Sequence, residues 1–159
     1  MGGWGFSGGG SYALASAALL PDLVTGAAVF ASFAPYGSPG LDFCDGMSPE
    51  SAGEVELFFT DRSAARQHWR QDADRLFAAL STPDDWTAIL TPWGCDLTTT
   101  RVPVRLWHGA RDLAVPVVHG RWLATHVPGI VAHISESEDH ANTEHNHKET
   151  AYAWLSQLT

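Results

Sequence analysis

Residues 1–20, MGGWGFSGGGSYALASAALL, contain Gly5-Phe6-Ser7-Gly8-Gly9, a match to G-x-S-x-G. That pattern sets a serine on a sharp turn between a strand and a helix. A helix does follow: residues 11–20, SYALASAALL, are apolar on all sides and stop against Pro21, which predicts a short buried helix. Only residues 1–4 stand before the motif, two of them glycine, so the sequence predicts no strand of its own ahead of the turn. The stretch also matches G-x-G-x-x-G over residues 3–8, the phosphate-cradling pattern of dinucleotide-binding units. That use also needs a preceding strand, and an acid ending a second strand about 20 residues later. Asp22 falls at the helix stop instead.

Further along, residues 25–34, TGAAVFASFA, form a mostly apolar run of strand length before the turn signals PYGSPG. Ser48-Pro49-Glu50 offers a capping serine, proline at the first helical position and an acid in the first turn, so a helix is predicted toward Phe59. A second begins near Asp61 or Ser63, with Ala65, Trp69, Ala73, Leu76, Phe77 and Leu80 as its apolar stripe. STPDD closes this segment. The last third alternates: VPVRLW (102–107) as strand, VVHGRWLATHV (117–127) as helix, GIVAHIS (129–135) as strand, HKETAYAWLSQL (147–158) as closing helix. Strands separated by such helices imply a parallel sheet covered on both faces. The expected fold class is therefore α/β: a partial parallel sheet of three to four strands with flanking helices and a short helical insertion. The chain reads as one domain, residues 1–159, with residues 42–85 inserted into it.

The composition narrows the function classes. At 159 residues, 45% hydrophobic and 17% charged, the chain can bury a core. A formal charge of −9 repels nucleic acid and anionic membranes, so neither is an expected partner. Ten of the eighteen acids lie from Asp42 to Asp85 and read as a solvated helical surface. No apolar run reaches the roughly 18 residues of a membrane span, and the start lacks the pattern of a secretory signal. The expectation is a soluble, cytoplasmic chain in which Cys44 and Cys95 are free thiols.

Functional groups in open parallel sheets collect at the carboxyl ends of strands. Three candidates stand there in chain order: Ser7, Asp112 after VPVRLW, and His140 after GIVAHIS. A serine hydroxyl is a poor nucleophile until an imidazole takes its proton, and the imidazole needs an anion to fix its tautomer and stabilise its charged form. Ser7 would attack, His140 act as base and then acid, and Asp112 orient His140. The Gly8 N–H would meet the developing oxyanion. Asp112 has a plainer use as a turn acid or helix cap, and Asp96, on the side of a strand start, is an alternative partner.

On these residues the chain from Gly5 onward resembles the C-terminal part of a capped α/β-hydrolase. GFSGGGSYALASAALLPDLV resembles the serine turn and following helix of that superfamily, VPVRLWHGARDLAVPVVHGRWLA its acid-bearing strand and helix, and EDHANTEHN its histidine loop. Residues 42–85 resemble a short cap. Strands ahead of the serine turn, and the second oxyanion donor that one of their loops supplies, have no counterpart. The resemblance implies a serine hydrolase of small carboxylic esters, working through a Ser7-His140-Asp112 triad and an acyl-enzyme, with no cofactor.

Two further readings compete. A catalytically weak remnant would act as a binding or assembly module, and either form would expose a sheet edge covered by self-association, as a symmetric dimer. The third is metal-dependent hydrolysis at His140, Glu144, His145 and His147, although H-x4-H-x-H is not a recognised ligand spacing. His68, His108, His119, His126 and His133 read as surface or packing residues.

Overall fold

The computed structural model describes residues 1–72 and 83–158. Its sheet is built around β2 (Gly26–Phe30, GAAVF), a strand buried at every position, as an apolar run covered on both faces must be. Four strands run parallel in the order β1 (Gly2–Phe6), β2, β3 (Val104–Gly109) and β4 (Val131–Ser135). Trp4 lies opposite Ala28, Val29 opposite Leu106, and Trp107 opposite His133. Parallel neighbours require crossovers. Helix α1 (Gly8–Leu19) joins β1 to β2, α5 (Val117–His126) joins β3 to β4, and α6 (His140–Leu155) closes the chain. Between β2 and β3 lie α2 (Pro49–Thr60), α3 (Arg62–Asp72), α4 (Pro83–Ile89) and a 3-10 turn at Leu97–Thr99.

Strand alternation divides the core. Ala27, Val29, Val104 and Leu106 face α1 and α5, packing with Leu14, Ala17, Leu123 and Val127. Ala28, Phe30 and Trp107 face the other way, onto Ala151, Trp154 and Leu155 of α6. Each fully buried Leu or Val contributes about 2 kcal/mol, several times the worth of an exposed ion pair, so these two layers hold the sheet. The inserted helices have a core of their own, in which Phe33 stacks on Phe43 at 5.5 Å and Trp69 on Trp86 at 5.4 Å.

Several boundaries differ from the sequence reading. A strand does precede the serine turn: β1 takes in three residues of the motif's approach and pairs along its full length with β2. Its glycines, poor strand formers in isolation, are needed because α1 lies almost against it. A Cβ on Gly5 would overlap the Gly9 carbonyl and sit 2.6 Å from Gly10 N. Helix α1 starts at Gly8 rather than Ser11 and is buried on one face only, with Tyr12 and Leu19 exposed. This flank is bare because β1 is the edge strand, and no described strand pairs with its outer side. Strand β2 stops at Phe30, where Ala31 turns to φ 45°. Helix α6 begins seven residues before the predicted start, because the Asp139 side chain accepts from Asn142 N–H at 2.9 Å and caps it. Ser48 caps α2 as expected, accepting from Ser51 N–H at 3.1 Å. Ala73, Leu76, Phe77 and Leu80 lie outside the described residues.

Cys44 and Cys95 are free, and burial pushes both thiols up from their ordinary value. Among the described residues no helix is long and apolar enough to cross a membrane.

Two outcomes are expected. Gly5→Ala should cost about 3 kcal/mol or more, because the methyl meets helix backbone that cannot move aside, and a urea midpoint unchanged from wild type would contradict the packing. Self-association through the bare edge of β1 is a proposal. Light scattering after size exclusion supports it with a dimer, and a folded monomer at micromolar concentration removes it.

Candidate active site

Ser7 sits between β1 and α1 with φ 55° and ψ −126°, a conformation an L-residue adopts at a cost of about 1–3 kcal/mol. Two hydrogen bonds hold it there: Ser7 N–H to the Phe30 carbonyl at 2.9 Å and Gly10 N–H to the Ser7 carbonyl at 3.0 Å. The first ties the turn to the end of β2. Gly8 is the first residue of α1, so its N–H has no acceptor within the helix, and no acid occupies the first turn. The end of the helix dipole beside Ser7 therefore favours an anion. Among the described residues the Ser7 hydroxyl has no hydrogen-bond partner. Contacts between nucleophile and base are often open until substrate binds.

Asp112 lies in the loop after β3, with a fully buried side chain. Its Oδ1 accepts from Ala114 N–H at 2.9 Å and Val115 N–H at 2.8 Å. Its Oδ2 accepts from His140 Nδ1 at 2.7 Å. This assigns the Nδ1–H tautomer to the neutral imidazole and leaves Nε2 as the basic nitrogen. His140 is the first residue of α6, and its ring lies 4.7 Å from that of Phe6, the residue before Ser7. The histidine thus stands beside the serine turn, with 26% of its side chain exposed.

Backbone contacts clasp the acid and histidine loops together. Ala110 N–H donates to the Ser135 carbonyl at 2.7 Å, and Arg111 N–H to Glu138 at 3.0 Å. Gly109 must be glycine, since a Cβ there would overlap the Glu138 carbonyl. Asp96 is engaged elsewhere, its Oδ1 accepting from Thr98 N–H and Oγ1 at 2.9 and 2.7 Å, which lowers its pKa. The three histidines among the four metal candidates also separate. His140 bonds Asp112, His147 bonds Glu138 at 3.0 Å, and His145 is exposed. Among the described residues no three His, Cys, Asp or Glu side chains converge on a metal-sized site.

Two histidines carry more structure than the sequence reading gave them. His119, fully buried on α5, accepts from Ala34 N–H through Nδ1 at 3.2 Å and donates from Nε2 to the Phe43 carbonyl at 2.9 Å. It pins the segment leaving β2 against the start of the inserted helices. His108, second to last in β3, is also fully buried, and its Nε2 donates to the Val115 carbonyl at 2.8 Å. The only sequence signal was a polar residue ending an apolar strand.

No protein-family model and no curated protein matches the chain. Solved structures do. An esterase from Exiguobacterium antarcticum superposes with a TM-score of 0.65 at 18% identity, over 96% of this chain and 65% of that one. An esterase from Rhodococcus gives 0.61 at 19% identity, over 98% and 65%. An enol-lactonase from Burkholderia xenovorans gives 0.53 at 19% identity, over 98% and 62%. The chain has the α/β-hydrolase fold, and it spans less than two thirds of the length of these structures.

Burial holds the His119 imidazole down at about 4, against an ordinary value of 6.5. Between those values the unfolded chain binds the extra proton and the fold does not, so stability rises with pH there and falls on acidification. His119 should thus account for a loss on the order of 3 kcal/mol as pH drops from about 7 to about 4. His119→Gln keeps one acceptor and one donor without titrating. Urea midpoints across this range should show a shallower acid limb in the variant; an identical limb would refute the assignment.

Proposed function

We propose that this chain carries the reacting groups of a serine hydrolase acting on small carboxylic esters. The observation that carries the reading is His140: its Nδ1 is tied to the buried Asp112 carboxylate, and its ring packs against the residue before Ser7. The esterases among the solved structures of similar fold support it.

The steps follow from the tautomer. Ser7 Oγ attacks the ester carbonyl carbon while its proton passes to His140 Nε2, and Asp112 stabilises the imidazolium so formed. The carbonyl π electrons move onto oxygen, where the Gly8 N–H and the start of α1 meet the charge; one such donor is worth about 3 kcal/mol. As the tetrahedral adduct collapses, the C–O bond to the alcohol breaks, and the leaving oxygen takes the proton from His140. Water then attacks the acyl-Ser7 ester, giving its proton to His140, and collapse releases the acid and restores the Ser7 hydroxyl. Every step uses groups of this chain and water, with no cofactor.

A second reading rests on the edge of β1, on whose outer side no described strand pairs. In it the fold serves as a binding or assembly module, and Ser7 does not turn over.

Hydrolysis of a short-chain aryl ester by wild type, Ser7→Ala and His140→Ala, with and without chelator, separates these readings. Under the proposal both substitutions lower kcat at least about a thousandfold, chelator has no effect, and a fluorophosphonate labels wild type but not Ser7→Ala. A folded wild type that neither hydrolyses ester nor takes the label leaves the module reading. Activity that survives Ser7→Ala but not chelator would restore the metal-dependent one.

A further inference from the structure

We propose that His108 is a positioning residue: its hydrogen bond to the Val115 carbonyl sets the loop that aims the Asp112 carboxylate at His140. The inference rests on the triad reading above. Val115 is held from both sides. Its N–H donates to Asp112 Oδ1 at 2.8 Å, and its carbonyl accepts from His108 Nε2 at the same distance. The loop after β3 is therefore closed on itself twice, once through the carboxylate and once through the imidazole. Without the second closure the peptide joining Val115 to Pro116 loses its partner, and Val115, whose N–H orients the carboxylate through Oδ1, is held from one side only.

The environment of His108 is built for one tautomer. With Nε2–H donating to Val115, Nδ1 carries a lone pair, and that nitrogen is buried with no partner among the described residues. A bare lone pair tolerates this better than a bare N–H would. Space for the ring comes from α5, where a Cβ on Gly120 would lie 2.8 Å from both Cγ and Nδ1. Burial is the largest influence on this imidazole and pushes its pKa down, outweighing the Val115 carbonyl and the Asp112 charge. A neutral ring matters to its neighbour. Its Nε2 lies 3.9 Å from Asp112 Oδ2, the oxygen that receives His140. A second cation there would compete for that oxygen, whereas the neutral ring leaves it to His140.

The test compares wild type with His108→Leu, which keeps bulk but loses the donor, and His108→Gln, whose amide N–H can reach the Val115 carbonyl. Its first readout needs no turnover: the low-field proton NMR signal of His140 Nδ1–H, identified by its loss in His140→Ala. His108→Leu should shift that signal upfield or broaden it, and His108→Gln should restore it. In ester hydrolysis His108→Leu should lower kcat about tenfold with KM unchanged, the scale of one lost buried hydrogen bond, and His108→Gln should recover most of the loss. A folded His108→Leu with the wild-type signal overturns the proposal, whether or not the protein cleaves esters. Should His108→Leu fail to fold, nitrogen-15 spectra of wild type decide: the Nε2–H tautomer at His108 supports the proposal and the Nδ1–H tautomer overturns it. If no form hydrolyses ester while the signal responds as described, the positioning stands and the esterase reading falls.

Discussion

A carboxylate with no access to water has to be matched by donors, and the Asp112 side chain is such a group. An uncompensated buried charge costs several kcal/mol, enough to decide local structure. Two donors come from the loop's own backbone at Ala114 and Val115, and the third from the first residue of α6. Supplying that third donor constrains much of the C-terminal half. Strands β3 and β4 must be adjacent and in register, so that Ser135 and Glu138 meet Ala110 and Arg111. Position 109 must lack a side chain, and α6 must start where the Asp139 cap starts it. The hydrogen bond to His140 is the point at which these requirements converge.

The serine turn is held by a different part of the fold. Its strained residue bonds to the end of β2, the most buried strand, and its helix packs on β1 so tightly that only glycine fits at position 5. Parallel pairing then does the rest. Because the strands run the same way, their carboxyl ends lie at one edge of the sheet, and residues from opposite ends of the chain meet there. Phe6 packs against His140 and Trp4 against Tyr152, which links β1 to α6 directly.

How much of this was legible follows from the range of each interaction. Alternation of apolar segments gave the α/β class, and Ser48-Pro49-Glu50 gave the start of α2, because capping is decided within four residues. Position after strands picks out Asp112 and His140 as candidates, and the two side chains are hydrogen-bonded. Strand β1 was not legible, since a Gly2-Gly3 start has low strand propensity and is held by pairing with residues 26–30. The role of His119 was hidden for the same reason. His119 acts on Ala34 and Phe43, 85 and 76 positions away, and no local pattern encodes such a contact. The start of α6 is not predicted although its cap is local, because Asp139 falls within EDHANTEHN, the stretch that resembles a histidine loop.

Strand β3 shows where packing yields to chemistry. Val104, Leu106 and Trp107 are apolar and buried, and any of them could be exchanged for another apolar residue of similar volume at modest cost. From His108 onward the same strand buries an imidazole, then a glycine, and its loop buries a carboxylate. Each would weaken an ordinary core, since a buried polar group gains little net stability even when well bonded. They are tolerated because each one's partners are already fixed by the fold: Val115 for His108, the Glu138 carbonyl packed over Gly109, and His140 for Asp112. The apolar end of the strand anchors the sheet, and the stability it supplies allows the polar end to hold buried polar groups in one arrangement.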